Sequence, residues 1–228
     1  MELTSREIAK MMDVSCVQAD STLEEIKLAA ETAKKYSCIC VVALPSHTPY
    51  LIDLVKDRPD ILVGGVVGFP DGGATTEAKV LETEELKAMG VDEIDMVINI
   101  GWLKAKKYDE VGTDIASVIA ATKGLPVKAI LECHYLSDEE IVKACQIAVS
   151  CGVAFVKTGT GWAPTGANLE NIKLMAEAVE NKCKIKAAGG VRDLDTLIAM
   201  HELGATRFGV GVRSATSILE DSVARESR

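Results

Sequence analysis

No apolar run in this 228-residue chain reaches the roughly 18–20 residues that a membrane-spanning helix needs. The opening stretch, MELTSREIAKMMDVS (1–15), is charged and lacks the apolar centre of a secretory signal. No C-x-x-C pair occurs among the seven cysteines. Their odd number and their place inside apolar runs fit reduced thiols in a cytoplasmic protein, not a disulfide framework. The C-x-C of residues 38–40 falls within a strand-like run and reads as core. There is no basic stripe: the 25 Lys and Arg are dispersed among 34 Asp and Glu, for a net charge of -9. That balance excludes nucleic acid and anionic membranes as partners. Low-complexity segments and Pro/Gly/Ser linkers are missing too, so residues 1–228 read as one domain.

What is present is alternation. Apolar, β-branched runs recur at 38–45, 61–70, 93–101, 127–134, 154–161, 184–190 and 206–212, with an eighth at 11–17. Helix-period segments lie between them, at 22–36, 77–90, 138–152, 168–179 and 194–205. Near-continuous apolar strands alternating with amphipathic helices imply a parallel sheet covered on both faces. Hydrophobic residues make up 48% of the chain, enough for one sizeable core. Eight βα units of this length predict an α/β fold, a single (β/α)8 TIM barrel. An open doubly wound sheet is disfavoured, because the glycines gather after the last three strands and not after the first.

In such a barrel the chemistry sits at the C-terminal ends of the strands. The polar residues there are Asp95 and Asn99, Glu132 with Cys133 and His134, Lys157 with Thr158, and Lys186. Strand parity turns Asp95, Glu132, Lys157 and Lys186 inward as a charged cluster. Lys128 and Lys184 belong either to the barrel's bottom or to the residues before the strands. Two lysines on neighbouring strands, buried and close, disfavour each other's ammonium form. A neutral amine can attack a carbonyl and form a Schiff base, and Asp95 would relay the protons. A structural ion-pair cluster is the competing reading.

The glycine-rich stretches TGTGWAPTG (158–166), AAGGVRD (187–193) and RFGVGVRSA (207–215) offer backbone N–H groups to a phosphate. Arg192 and Arg213 flank them. Glu132, Cys133 and His134 are adjacent, so strand alternation prevents their converging on one metal. His201 reads as structural, and Trp102 and Trp162 either cover a substrate or pack.

Taken together, GFPDGG (68–73), KVLETEELKAMGVDEIDMVINIG (79–101), VKAILE (127–132), GVAFVKTGTGW (152–162), IKAAGGVR (185–192) and GATRFG (204–209) resemble the deoxyribose-phosphate aldolase family over nearly the whole chain. The resemblance implies a class I aldolase with a (β/α)8 fold. Members join acetaldehyde to glyceraldehyde 3-phosphate reversibly, with no metal and no organic cofactor. It implies Lys157 as the Schiff-base lysine and Asp95 with Lys186 as the proton relay. Asp13 matches the aspartate of the first strand. Gly161, Gly189, Gly190 and Gly209 match phosphate-binding backbone, to which Thr158, Gly211 and Arg213 are added as binding candidates. Three places depart from the family pattern: Asp13-Val14-Ser15, Gly159 in place of a serine, and Gly209-Val210-Gly211-Val212-Arg213 in place of a serine pair. The last leaves open another phosphorylated sugar or a binding barrel without aldol chemistry, while the charged cluster read as an acid/base set would instead suit a sugar-phosphate isomerase. The expected partners are a phosphorylated sugar, an aldehyde, and further copies of the chain.

Overall fold

Short runs of β-branched and small apolar residues form eight strands in the computed structural model, which describes residues 3–227. They are β1 (Met12–Cys16), β2 (Cys40–Ala43), β3 (Leu62–Val67), β4 (Glu93–Val97), β5 (Val127–Ile130), β6 (Phe155–Lys157), β7 (Lys184–Ala188) and β8 (Ala205–Gly211). Each pairs in parallel with the next, and β8 returns to β1, so the sheet closes. Closure removes every sheet edge.

The helices are α1 (Ser5–Ala9), α2 (Leu23–Tyr36), α3 (Thr48–Val55), α4 (Thr76–Met89), α5 (Ile100–Lys104), α6 (Tyr108–Thr122), α7 (Asp138–Cys151), α8 (Leu169–Val179), α9 (Leu194–Glu202) and α10 (Val212–Glu226). Local sequence sets their ends. Thr22 with Glu25 and Ser137 with Glu140 form capping boxes that start α2 and α7. Gly90 and Gly152 take the left-handed conformation that ends α4 and α7. The (β/α)8 barrel expected from the sequence is the observed fold, with the predicted strand at 11–17 present as β1. No described helix is long and apolar enough to cross a membrane.

Alternation divides the strand side chains between two environments. Val14, Val41, Val63, Ile94, Met96, Ala129, Val156, Ile185 and Phe208 face the helices and belong to the main apolar core. Inside the barrel the filling is split. On one side Val17, Cys40, Val42 and Val66 form a small apolar cluster. On the other, charged side chains from β1, β4, β5, β6, β7 and β8 meet. A register shift between β7 and β8 pairs Ile185 with Ala205 but Lys186 with Arg207. This bulge leaves Thr206 unpaired and brings Arg207 beside Lys186.

Behind the barrel a separate ion pair joins α4 to α6. Lys79 lies 2.6 Å from Asp114, and both side chains are fully buried. The ammonium also donates to the carbonyl of Val97 at 3.0 Å, and Thr76 donates to the other oxygen of Asp114 at 2.9 Å.

Candidate active site

Lys157 and Lys186 occupy paired register positions on β6 and β7, so both side chains leave the sheet on the same face. Both ammonium groups donate to one oxygen, Oδ2 of Asp95 on β4, each at 2.7 Å. The other oxygen of Asp95 lies 2.9 Å from Lys128 without the alignment of a hydrogen bond. The structure thus brings together the three residues expected to be catalytic.

The cluster continues downward. Lys186 reaches Oδ2 of Asp13 at 2.5 Å, and Lys128 reaches the same oxygen at 3.2 Å. Lys128 also bonds Glu93. Arg207 donates to Oδ1 of Asp13 at 2.7 Å and lies 3.4 Å from Glu93. Lys128, Glu93 and Arg207 were not among the sequence candidates for the site. Lys128 was ambiguous because the sequence does not show where β5 begins. Arg207 shares a face with Gly209 and Gly211, and that parity was its only signal.

The number of carboxylate partners differs from cation to cation. Lys128 contacts Asp13, Glu93 and Asp95, while Lys186 contacts Asp13 and Asp95. Arg207 contacts Asp13 and Glu93, whereas Lys157 contacts Asp95 alone. Lys157 therefore has the fewest carboxylates to hold its proton. Burial, opposed by Asp95 and reinforced by the neighbouring Lys186, lowers its pKa to about 8. Three carboxylates hold Lys128 well above the ordinary lysine value against its burial. Asp95, also against burial, is held well below the ordinary carboxylate value by Lys128, Lys157 and Lys186.

A cavity of about 340 Å³ opens above this cluster and is lined by both Lys157 and Lys186. Six of the expected binding residues also line it: Gly161, Gly189, Gly190, Gly209, Gly211 and Arg213. Arg192 lines it as well, as does Ser214, which the sequence reading passed over. Gly161 and Gly189 have φ of 84° and 75°, a region that favours glycine. Gly211 is the N-cap of α10 and makes no side-chain cap, so the first N–H groups of a 15-residue helix stand free at the cavity. A Cβ at Gly209 would lie 3.1 Å from Cε of Lys186, so glycine leaves room for that lysine.

Three expectations need correcting. Glu132 does not join the charged cluster. The chain leaves β5 at Ile130, and Glu132 adopts a left-handed conformation with φ of 54°. Its carboxylate turns onto the backbone N–H and hydroxyl of Thr160, fixing the loop that carries Gly161. A Cβ at Gly159 would fall 2.5 Å from that carboxylate, so the glycine matches the placement of Glu132. The hydroxyl of Thr158 does not face the cavity. It donates to the carbonyl of Ala188 at 2.8 Å and accepts from the N–H of the same residue at 2.9 Å, locking β6 to β7. Asp13 is sealed beneath the cavity among Lys128, Lys186 and Arg207, not on its wall. Asn99 caps α5 through the N–H of Trp102, and His201 bonds the carbonyl of Ala205. Trp162 donates to the carbonyl of Val17 at 2.8 Å and meets Phe69 edge-on, spanning one side of the mouth.

Among the described residues, Asp13, Cys40 and Glu93 form the one group whose donor atoms lie close enough for a shared ion. Their carboxylates are already engaged by Lys128 and Arg207, which take the place a metal would need.

Comparison with known proteins agrees with this geometry. Residues 7–215 match the model of the DeoC/LacD family aldolases. A deoxyribose-phosphate aldolase of Klebsiella pneumoniae is 43% identical over 223 residues, covering 97% of this chain and 90% of the relative. The solved structure of QR15, an aldolase, superposes with a TM-score of 0.90 at 33% identity, covering 96% of this chain and 97% of that one. The tetrameric deoxyribose phosphate aldolase from Aeropyrum pernix shares the fold, with a TM-score of 0.88 at 24% identity over 97% of this chain and 93% of its own.

Proposed function

The chain belongs to the DeoC/LacD family of aldolases, and from that premise we propose that it cleaves 2-deoxy-D-ribose 5-phosphate reversibly to glyceraldehyde 3-phosphate and acetaldehyde, with Lys157 as the Schiff-base residue. One observation carries this reading. Lys157 lines the cavity, has a single carboxylate partner, and carries a pKa lowered to about 8. A useful fraction of free amine is therefore available near neutral pH.

The steps follow from the groups in reach. The amine of Lys157 attacks C1 of the open-chain sugar, and the carbonyl oxygen takes a proton to give a carbinolamine. Loss of water leaves an iminium. A base removes the proton of the C3 hydroxyl, the C2–C3 bond breaks, and its electron pair moves into the iminium. That releases glyceraldehyde 3-phosphate and leaves an enamine on Lys157. Protonation at carbon and hydrolysis of the resulting iminium free acetaldehyde and the amine. Asp95, which accepts hydrogen bonds from both Lys157 and Lys186, serves with Lys186 as the proton relay. The phosphate rests on the N–H groups of Gly161, Gly189, Gly190 and the start of α10.

Retro-aldol turnover across a panel of phosphorylated deoxy-sugars tests the reading, with unphosphorylated 2-deoxyribose and Lys157→Ala as controls. Turnover of 2-deoxyribose 5-phosphate is expected. Its unphosphorylated analogue should show a KM roughly 30-fold higher or more, the scale of ~2 kcal/mol from charge-assisted hydrogen bonds. Arg192 and Arg213 on the cavity wall favour a second reading, a different phosphorylated sugar. A faster member of the same panel would establish it. Self-association, as in the A. pernix relative, and a reducing compartment, suited to seven free thiols, belong to the same proposal.

A further inference from the structure

The buried cluster beneath the cavity is unbalanced. Four cations, Lys128, Lys157, Lys186 and Arg207, meet three anions, Asp13, Glu93 and Asp95. A net charge out of water is costly, and release of one proton removes it. Arg207 cannot supply that proton, because a guanidinium stays charged. Lys128 and Lys186 are each held by more than one carboxylate. The proton that leaves is that of Lys157, the cation with one partner and access to the cavity.

We propose that Glu93 and Arg207 are positioning residues of opposite sign for the lysine chemistry: neither contacts Lys157, and each acts on it through Lys128, Asp13 and Asp95 and through the net charge of the cluster. This rests on the reading of Lys157 as the Schiff-base residue. Arg207 lies at the floor, 5.4 Å above the ring of Phe155, and fixes Asp13 and Glu93 from below. Those carboxylates fix Lys128, and Lys128 fixes the oxygen of Asp95 that Lys157 does not use. Removing the charge of Arg207 would balance the cluster with Lys157 still protonated. Removing the charge of Glu93 would increase the excess and expel the proton sooner.

The titratable and charged groups of the cluster beneath Lys157 are Asp13 from β1, Cys40 from β2, Glu93 and Asp95 from β4, Lys128 from β5, Lys186 from β7 and Arg207 from β8. The Cys40 thiol, pushed well up by burial, stays neutral. Glu132 is turned away onto Thr160. On the solvent side the cavity adds Asp20, Glu25, Arg192 and Arg213, which are common to every variant below.

The test is the pH dependence of borohydride trapping with acetaldehyde, read by intact mass and peptide mapping. Variants are Glu93→Gln, Arg207→Gln, the double variant, and the charge-keeping Arg207→Lys, each checked for fold by circular dichroism. The midpoint is expected to fall by about one pH unit in Glu93→Gln and to rise by about one in Arg207→Gln, a tenfold change in free amine at fixed pH. It should return close to wild type in the double variant and stay there in Arg207→Lys. Where one single variant does not fold, the other single variant set against the double carries the test. Midpoints that move in the same direction, or do not move in folded protein, overturn the proposal. Failure of the wild type to form any adduct at any pH overturns the Schiff-base reading itself, and the proposal with it.

Discussion

Two buried lysines in this molecule have different fates. Lys79 pairs one-to-one with Asp114 behind the barrel, takes the carbonyl of Val97 as a second acceptor, and is fully enclosed. Lys157 shares its one carboxylate oxygen with Lys186 and opens on a cavity. Both are desolvated, so burial alone does not make a nucleophile. The ratio of cations to anions, and a path for an aldehyde, separate a lysine that holds two helices together from one that can lose its proton.

The sharpest way to break that contrast is to remove each amine. Lys157→Met should lower retro-aldol kcat by roughly 10⁴-fold or more, because the covalent route is lost. It should leave thermal stability unchanged or slightly raised, since it removes the excess charge from the cluster. Lys79→Met should do the reverse. It strands the carboxylate of Asp114, at about 3–5 kcal/mol, while kcat of the protein that remains folded stays within about tenfold of wild type. Chemical denaturation alongside steady-state kinetics separates the two patterns. A large kinetic effect with intact stability at Lys79 would erase the distinction.

Acidity sharpens it further. With Lys157 lowered to about 8, kcat/KM should rise about tenfold per pH unit below that value and level off above it. The same residue affects stability. Between about 8 and the ordinary lysine value, the unfolded chain binds a proton that folded Lys157 has released. Its contribution therefore becomes more favourable as pH rises through that window. The depressed pKa of Asp95 acts in the same direction, in the acid range. Its stabilisation is present at neutral pH and is lost on acidification, once its carboxylate takes up a proton in the folded protein.

The smallest effect expected is at the wall. Gly209→Ala brings a methyl within 3.1 Å of Cε of Lys186 and 3.0 Å of Cβ of Ala188. A displaced Lys186 should lower kcat a few-fold, about 1 kcal/mol, with little change in KM. A rise in KM alone would place the residue with the phosphate instead.

Period-two parity was enough to bring Lys157, Lys186 and Asp95 to one face, because β4, β6 and β7 are regular where those residues sit. It failed at Glu132, where the strand had already ended and the backbone turned left-handed. It could not rank Lys128, since nothing in VKAILE marks how deep the strand starts. Arg207 reaches Lys186 through a bulge, which no alternation rule anticipates. Thr158 has the right position and the wrong bond, as its hydroxyl closes on Ala188. The Lys79–Asp114 pair is a contact between α4 and α6, and helical periodicity within either segment does not reveal it. The barrel itself was legible because it repeats, whereas the charge network depends on depth, register and strand ends.

The most direct measurement is the titration of the Lys157 ammonium in the resting protein, by NMR of lysine-selectively ¹⁵N-labelled chain assigned with Lys157→Arg. A transition near 8, ahead of Lys128, is the outcome expected of a nucleophile left short of carboxylate partners. A transition at or above the ordinary lysine range would contradict it and leave the cluster as a structural ion-pair network.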